Sequence, residues 1–349
     1  MKKNIKYIIV TMALIILAVI FINRSEIWGR RDIVFDKTIA DIEFAQSFYI
    51  STNAIIIFDG ETLYFCDKNG NVAKNIKFAA EKLKAYYANN YVFLYDEDLN
   101  KIYQYRDTGE LLHNIKIQDE LYNIKYLNKE IVLHLKSEEK EMLKILKQDG
   151  KLSDLYETGN TILTYDLYKS DKFSVGEILN DATGYKSMLV MVDGQDRKNK
   201  EFSAEVCLFV SRKNGRTIMA TDKHLYLYNG ENELRTEIPN ISDILVADRN
   251  IYLLHSNIIS KYNMKLEQVD KLILSANVSR LTMVSNSLYA YGDSNIGGEL
   301  GTKAQFYTRL GTTVEEMEIS GITIGALKEG KINLYKIING RNFIGDENE

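Results

Sequence analysis

The sequence predicts an all-β protein, an eight-bladed β-propeller of four-stranded antiparallel blades, with seven blades as the alternative count. Two observations lead to this fold class. Apolar residues alternate at period two, as in KIYQYRDTGELLHNI from Lys101 to Ile115, where two short strands flank a glycine-containing turn. The same pattern recurs about every forty residues, since Gly70, Gly109 and Gly150 lie 39 and 41 residues apart.

Each repeat contains four short strands. Upstream of the hairpin at 101–115 lie LKAYYA and YVFLYD, which are separated by Asn89 and Asn90. We expect further copies of the hairpin turn at Asn232 and Gly311, and one near residue 191 whose turn is enlarged into a charged loop. Apolar spacing of two rather than 3.6 excludes leucine-rich and helical repeats.

The two ends of the repeat region predict how the ring closes. Seven units run from about residue 44 to residue 320, and the segments GITIGALK, KINLYKI and RNFIG supply strands after them. The missing partner strand is DIVFDKTIA, residues 32–40. Joining both ends in one blade gives the eighth blade and removes exposed sheet edges.

An apolar run, Tyr7–Ile22, predicts a membrane-spanning helix. Lys2, Lys3 and Lys6 precede it and Arg24 follows it, which suits the polar surfaces of a bilayer. A cleaved signal peptide is the alternative, but no small-x-small cleavage pair follows the run. We therefore predict a cytoplasmic tail (1–6), an uncleaved signal-anchor (7–23), a linker (24–31), an extracytoplasmic propeller (32–345) and a tail (346–349).

Composition narrows the function classes. The chain has 44 basic and 48 acidic residues without a basic stripe, so no nucleic-acid partner is predicted. Cys66 and Cys207 lie in strand-like sequence and predict buried free thiols. The histidines share no metal-ligand spacing, so we predict structural roles and no metal site. They are His113, His134, His224 and His255.

The Y-x-Asp-x-Gly-x-Leu-Leu pattern at Tyr105–Leu112 resembles the repeat of quinoprotein-like (PQQ-like) propellers. The usual form of that repeat is a strand, Asp-x-x-Thr-Gly-x, then a strand ending in Trp. Here Asp107 lies one position nearer the Thr-Gly pair, and His113 stands in the place of the Trp. The likeness covers residues 32–345 and extends to uncharacterised membrane-anchored propellers of Gram-positive bacteria.

The resemblance implies the fold and leaves the activity open, because related propellers include both cofactor-dependent dehydrogenases and outer-membrane assembly scaffolds without catalytic activity. The dehydrogenases hold a quinone against a Trp floor, commonly beneath a vicinal disulfide, and bind calcium. The single tryptophan, Trp28, precedes the propeller, and the two cysteines are far apart in the sequence. We therefore predict no cofactor.

Two segments are candidate binding loops, because loops on a rigid scaffold often carry binding. DGQDRKNK, residues 193–200, is charged, and GDSNIGGELG, residues 292–301, is rich in glycine. We expect the second to be a long loop between the second and third strands of the seventh blade. The candidate binding residues are Asp193, Asp196, Arg197, Asp293, Asn295 and Glu299.

The sequence contains no catalytic motif such as a nucleophile elbow, a P-loop or a helical H-E-x-x-H pair. The predicted function is therefore that of a non-enzymatic scaffold at the cell membrane, which binds a protein or a cell-envelope component. The alternative is an envelope-associated, glycan-active enzyme whose acids come from several blades and meet at the central channel.

Overall fold

A computed structural model describes residues 11–17, 31–181, 184–213, 215–238, 240–247 and 249–339. The chain forms eight four-stranded antiparallel sheets, so the predicted eight-bladed propeller is confirmed. In seven blades the four strands are consecutive in sequence. The eighth blade joins the first strand, β1 (Arg31–Thr38), to the last three strands.

The strand bounds of blades 1 to 4 are as follows. Blade 1 contains β2 (Ser47–Ile50), β3 (Ile55–Phe58), β4 (Thr62–Cys66) and β5 (Val72–Lys77); blade 2 contains β6 (Leu83–Ala88), β7 (Tyr91–Asp96), β8 (Lys101–Arg106) and β9 (Leu111–Lys116). Blade 3 contains β10 (Glu120–Leu127), β11 (Glu130–Lys136), β12 (Glu141–Leu146) and β13 (Leu152–Thr158); blade 4 contains β14 (Thr161–Lys169), β15 (Lys172–Asp181), β16 (Gly184–Asp193) and β17 (Asp196–Ser203).

Blades 5 to 8 continue the same order. Blade 5 contains β18 (Cys207–Lys213), β19 (Arg216–Thr221), β20 (His224–Asn229) and β21 (Asn232–Glu237); blade 6 contains β22 (Asp243–Ala247), β23 (Asn250–His255), β24 (Ile258–Asn263) and β25 (Gln268–Ile273). Blade 7 contains β26 (Arg280–Val284), β27 (Ser287–Tyr291), β28 (Asn295–Gly298) and β29 (Phe306–Arg309); blade 8 contains β30 (Glu316–Ser320), β31 (Thr323–Lys328), β32 (Lys331–Asn339) and β1.

The first strand of each blade lies innermost. First strands of neighbouring blades contact one another, for example β14 with β18 and β22 with β26. All inner strands run in the same direction, because every blade repeats the same path from the inside outwards. The propeller therefore has two distinct faces, and we name them by their connections.

The linker face carries the segments between successive blades and the turns between second and third strands. The hairpin face carries the turns between first and second strands and between third and fourth strands. Backbone hydrogen bonds connect segments within each face, as from Ile117 N to Asn100 O (3.0 Å) on the linker face and from Asp107 N to Asn90 O (2.9 Å) on the hairpin face.

The apolar core is divided among the blade interfaces. The described residues form eight buried clusters, and each lies between two neighbouring blades. Middle strands pack on both sides, which explains continuous apolar runs such as the fully buried IIIF of β3. Polar contacts add to this packing, since Asp107 of blade 2 accepts a hydrogen bond from Ser51 Oγ of blade 1 at 2.8 Å.

The ring closes as the sequence predicts, with β1 pairing antiparallel to β32 from Arg31 to Thr38 and one register shift at Asp36. The innermost strand of this blade is β30, which the repeat count had placed in the seventh unit. The segment RNFIG, residues 341–345, lies outside the described residues. Arg31 at the start of β1 also reaches blade 7, where its Nη1 lies 3.0 Å from Glu299 Oε1.

Two turn positions differ from the prediction. Asn232 begins β21, and the turn lies two residues earlier at Gly230, whose φ is +63°. Gly311 lies in the segment between blades 7 and 8, so β29 is a fourth strand and the hairpin assigned there joins two blades. Both turns lack the Asp-x-Gly context of Gly109, and alternation alone does not fix the position of a turn in a run of short strands.

Most of the predicted anchor, residues 7–23, lies outside the described residues. Residues 11–17, inside that segment, are helical. Among the described parts of the chain, no helix has the length and apolar character needed to span a membrane.

Candidate binding surfaces

The first group of predicted site residues lies in a regular hairpin. Asp193 ends β16, Gly194 and Gln195 form the turn, and Asp196 begins β17. The expectation of an enlarged loop at 193–200 is therefore wrong, because β16 and β17 of blade 4 are longer than most other strands and extend through these charged residues. Polar residues are tolerated there since β17 is the outermost strand and is almost fully exposed.

The side chains of this group are held by neighbours. Asp193 accepts from Lys172 Nζ at 2.6 Å and from Arg212 Nη2 at 3.0 Å, and this pairing with Lys172 lowers the pKa of the Asp193 carboxyl. Arg197 donates to Tyr156 Oη at 3.1 Å and stacks over the same ring. Asp196 is exposed. A binding role for these residues stays a prediction.

The second group is spread over blade 7. Asp293 is exposed in the short turn 292–294, and Asn295 begins β28, so the predicted long loop over 292–301 is wrong. Gly298 has a packing role, because it lies against Phe306 and Tyr289, where an added Cβ would come within 2.4 Å of the Phe306 ring. Glu299 is buried, accepts from Ser287 Oγ at 2.8 Å and pairs with Arg31.

The two groups do not form one site, since the turn at 194–195 lies on the hairpin face and Asp293 lies on the linker face. The structure instead brings together other residues, among which Asp293 is the one that the sequence had indicated. These form two surfaces on the linker face, one apolar and one acidic.

The apolar surface arises from β-bulges at the start of three adjacent inner strands. Near the start of β10, β14 and β18, the register of each strand with its partner skips one residue, namely Tyr122, Leu163 and Leu208. A bulge re-aims the side chain of the extra residue. The three side chains are exposed by 58%, 40% and 48%, respectively, although each follows a buried neighbour. We name Tyr122, Leu163 and Leu208 the bulge patch.

The bulge patch lies at the linker-face end of the central channel, because each of its members is the second or third residue of an inner strand. The three blades are consecutive, and β14 contacts both β10 and β18. Contiguous exposed apolar residues mark interaction surfaces more often than scattered ones do. The sequence carried a signal for them, since Leu121-Tyr122, Ile162-Leu163 and Cys207-Leu208 each interrupt the period-two alternation.

The connecting segments around the bulge patch are strongly acidic. Within the described segments of the linker face there are fifteen acidic residues and three basic ones. The acidic residues are Asp41, Glu43, Asp59, Glu61, Glu81, Glu97, Asp98, Asp119, Glu138, Glu139, Glu205, Asp222, Asp293, Glu315 and Glu329; the basic residues are Lys82, Lys140 and Lys223.

Lysines at strand ends neutralise part of this charge, as Lys77 does for Glu61 at 3.2 Å. The described segments of the hairpin face are nearly balanced, with eight acidic and seven basic residues. The net charge of −4 is therefore unevenly distributed, because the linker face is acidic and the hairpin face is close to neutral.

Two glutamates of β30 line a cavity of about 410 Å³ between blades 7 and 8 at the same end of the channel. Burial, together with the smaller effect of the neighbouring Glu316 carboxylate, raises the pKa of Glu318 to about 7. Burial also raises the pKa of Glu316. Separated by two residues on one strand, their Cα atoms are roughly 6.6 Å apart.

Each of the four histidines contacts another residue of the chain. His134 is buried, its Nε2 lies 2.9 Å from Glu141 Oε2, and burial lowers the pKa of its imidazole. His224 lies 3.1 Å from Glu205, and His255 lies 2.9 Å from Ser260 Oγ. His113 Nε2 lies 3.0 Å from the carbonyl of Gln148 in the next blade. Both cysteines are buried and free, as predicted.

No protein-family model matches this chain, and no curated protein matches it in sequence. Solved structures do match. BamB from Moraxella catarrhalis is 6% identical, with a TM-score of 0.56 over 87% of this chain and 98% of BamB. Saccharomyces cerevisiae Sqt1 is 10% identical, with a TM-score of 0.59 over the same shares of the two chains. At such identities the likeness shows a common β-propeller fold.

Proposed function

We propose that this chain is a non-catalytic scaffold that binds a protein through the linker face. The observation that carries the proposal is the bulge patch, three large apolar side chains exposed on adjacent inner strands inside an acidic surface. Burial of such side chains in an interface is favourable, whereas the charges around them select the partner by complementarity. The partner is accordingly a protein whose contact surface is apolar at its centre and basic at its rim.

The second part of the proposal is that residues 7–23 anchor the propeller to the outer face of the cell membrane. β1 begins at Arg31 on the hairpin face, so the described chain enters the propeller on that face. Residues 24–30 span at most roughly 25 Å when extended. An anchor attached in this way would turn the hairpin face towards the bilayer and leave the acidic linker face free for a partner.

The proposal is tested by placing a photo-crosslinking amino acid at Leu208 in the full-length chain and irradiating intact cells. We expect a discrete protein adduct that is lost in the Tyr122→Ser/Leu163→Ser background. The control places the same crosslinker at Phe35, an exposed apolar residue on β1 of blade 8. Absence of an adduct at position 208, or the same adducts at both positions, would contradict a linker-face binding site.

One observation favours the glycan-active alternative, the paired carboxylates Glu316 and Glu318 in a cavity. Glycoside hydrolysis needs one carboxyl group that stays protonated and one that is ionised, so environments must push the two pKa values apart. Here burial raises the pKa of both groups. The charge of Glu316 adds to the shift of Glu318 alone, so the pair keeps the enzyme as the second candidate function. Release of reducing ends from soluble cell-wall glycan fragments, abolished by Glu318→Gln, would reverse this ranking.

A further inference from the structure

A groove between blades 2 and 3 opens on the hairpin face and has a volume of about 780 Å³, within the range of ligand-binding sites. Blade 2 contributes residues from β7, β8 and β9, and blade 3 contributes residues from the ends of β10 and β12 and the start of β11. The groove lies on the opposite face from the bulge patch, so its occupant is a separate question.

The groove contains a buried polar group that has no hydrogen-bond partner within the described part of the chain. Gln104 of β8 lines it, is only 4% exposed, and its Oε1 has no hydrogen-bond partner within the described part of the chain. Native structures rarely leave a buried amide oxygen unpaired, because it loses its hydration without compensation. A bound ligand that offers an N–H or O–H group would remove this penalty.

Cationic side chains surround this amide. Arg106, Lys129 and Lys147 line the groove together with one carboxylate, Glu130. The described chain places no carboxylate within ion-pair distance of Lys129 or Lys147. Arg106 has Glu110 at 3.4 Å, but both side chains are more than half exposed, and such a pair exchanges partners at little cost. The cationic side chains of the groove therefore favour the binding of a negatively charged ligand.

Apolar side chains form the rest of the lining. Leu112 is the residue that the β8–β9 register skips, and this bulge directs it away from the normal pairing of the sheet. Ile131 and Leu146 come from blade 3, and Tyr91 and Tyr126 add aromatic surface. Apolar lining, a buried acceptor and a cationic rim match an extended peptide, in which backbone N–H groups, apolar side chains and carboxylates alternate.

We propose that the groove between blades 2 and 3 binds an acidic peptide segment of a partner, with Gln104 accepting a backbone N–H and Arg106, Lys129 and Lys147 binding its carboxylates. The inference deepens the proposed function and rests on this chain being a protein-binding scaffold, since it gives the propeller a second contact surface of opposite charge preference.

The test is calorimetric titration of the full-length chain in non-ionic detergent with a nine-residue peptide of alternating Glu and Leu, capped at both ends. The control peptide has Gln in place of Glu. We expect binding of the Glu peptide only, weakened as the salt concentration rises from 50 to 300 mM. Lys147→Gln should weaken binding about tenfold, whereas Lys151→Gln, in the same turn but outside the groove lining, should leave it unchanged.

The Gln104→Leu variant distinguishes a loss of peptide binding from a loss of folding stability. Because the substitution removes an unsatisfied buried amide, we expect an unchanged or higher melting temperature together with about tenfold weaker peptide binding. Equal binding of the two peptides, or equal effects of Lys147→Gln and Lys151→Gln, would overturn the proposal. So would tighter binding of sulfated dextran or of vesicles with anionic lipid, which would make the groove a polyanion or headgroup site.

Failure of this titration removes only the groove proposal if crosslinking at Leu208 still succeeds. Failure at Leu208 with intact peptide binding removes the linker-face proposal instead. The two surfaces are thus tested independently.

Discussion

At the scale of single residues, the sequence predicts the place of a residue within the repeat but does not predict which residues it contacts. His113 occupies the position where the PQQ-like repeat has Trp, and the sequence predicts a structural role for it without identifying its contacts. In the structure it lies against Gly150, 37 residues further along the chain, and its Nε2–H can donate to the Gln148 carbonyl. Contacts between neighbouring blades are long-range in sequence, so local patterns predict the position of a turn without predicting its partner.

This contact gives a first prediction. Gly150 has φ of +79°, and an added Cβ would lie 2.8 Å from His113 Nδ1. Gly150→Ala should therefore lower the free energy of unfolding by about 2–4 kcal/mol, from backbone strain and from overlap. Gly194→Ala is the matched control, because Gly194 also has positive φ but nothing lies within 4 Å of its added Cβ, and it should cost about 1–2 kcal/mol. Urea denaturation measures both.

If the overlap with the imidazole is the cause, His113→Ala should restore part of the stability lost in Gly150→Ala. Simple additivity of the two substitutions would show that backbone strain alone explains the loss.

Glu318 gives a second prediction at this scale. Its folded-state pKa of about 7 exceeds the ordinary value, so the folded chain retains a proton that the unfolded chain releases between about pH 4.5 and 7. The stability associated with this proton is complete below about pH 4.5 and is lost as the pH rises through 7. Glu318→Gln should match the wild type at pH 4.5 and exceed it by about 1–3 kcal/mol at pH 8.

The measurement is the thermal or urea midpoint of both proteins from pH 4.5 to 8. Glu329→Gln, an exposed change on the same blade, is the control and should leave the profile of the wild type unaltered. Parallel profiles for the wild type and Glu318→Gln would show that Glu318 is ionised in the folded protein throughout.

At the scale of strands and turns, the hairpin turns at Gly109 and Gly150 were predicted correctly. Errors arose where polarity was taken for a loop. Residues 196–203 are polar because β17 is an outer strand with little to bury, and residues 295–298 contain glycine because Phe306 lies against them. Polarity and glycine content therefore report burial and close packing as well as loops.

The closing strand provides the third prediction. β1 completes blade 8, with Ile33 facing the core at 6% exposure and Phe35, two residues on, 58% exposed. Ile33 packs in the cluster between blades 7 and 8, so Ile33→Ser should cost about 3–5 kcal/mol. Phe35 contacts Tyr335 edge to face at 5.6 Å, and Phe35→Ser should cost about 1 kcal/mol.

Unfolding in guanidinium chloride compares the two variants. Similar midpoints would mean that β1 is docked loosely and that the ring is held by the other seven blades. A separate early transition in Ile33→Ser would show that blade 8 opens before the rest of the ring.

At the scale of the whole molecule, the blade count and ring closure followed from the sequence because they depend only on the period and on the two unpaired ends. The charge distribution did not follow from the sequence. The acidic residues lie in segments that are far apart in the sequence, and they come together only when the connections between strands are assigned to the two faces. The bulge patch was missed for a related reason, since each bulge displaces one residue and its significance appears only when three neighbouring blades are viewed together.

The last prediction concerns how the propeller is presented at a membrane. With residues 7–23 as the anchor we propose, the hairpin face lies nearer the bilayer than the linker face does. A fluorophore on Lys151→Cys should then be quenched more strongly by a lipid-headgroup quencher in reconstituted vesicles than one on Glu138→Cys. Labelling is specific, because burial raises the pKa of both native thiols, Cys66 and Cys207, to about 12 and shields them from reagents.

Equal quenching at the two positions would mean that the linker lets the propeller reorient freely, so that neither face is preferred. Stronger quenching at position 138 would reverse the proposed orientation and place the acidic face against the lipid. Protein that fails to float with the vesicles would contradict the anchor itself. In that case the linker-face crosslink at Leu208 would still report on a partner, because the bulge patch depends only on blades 3, 4 and 5.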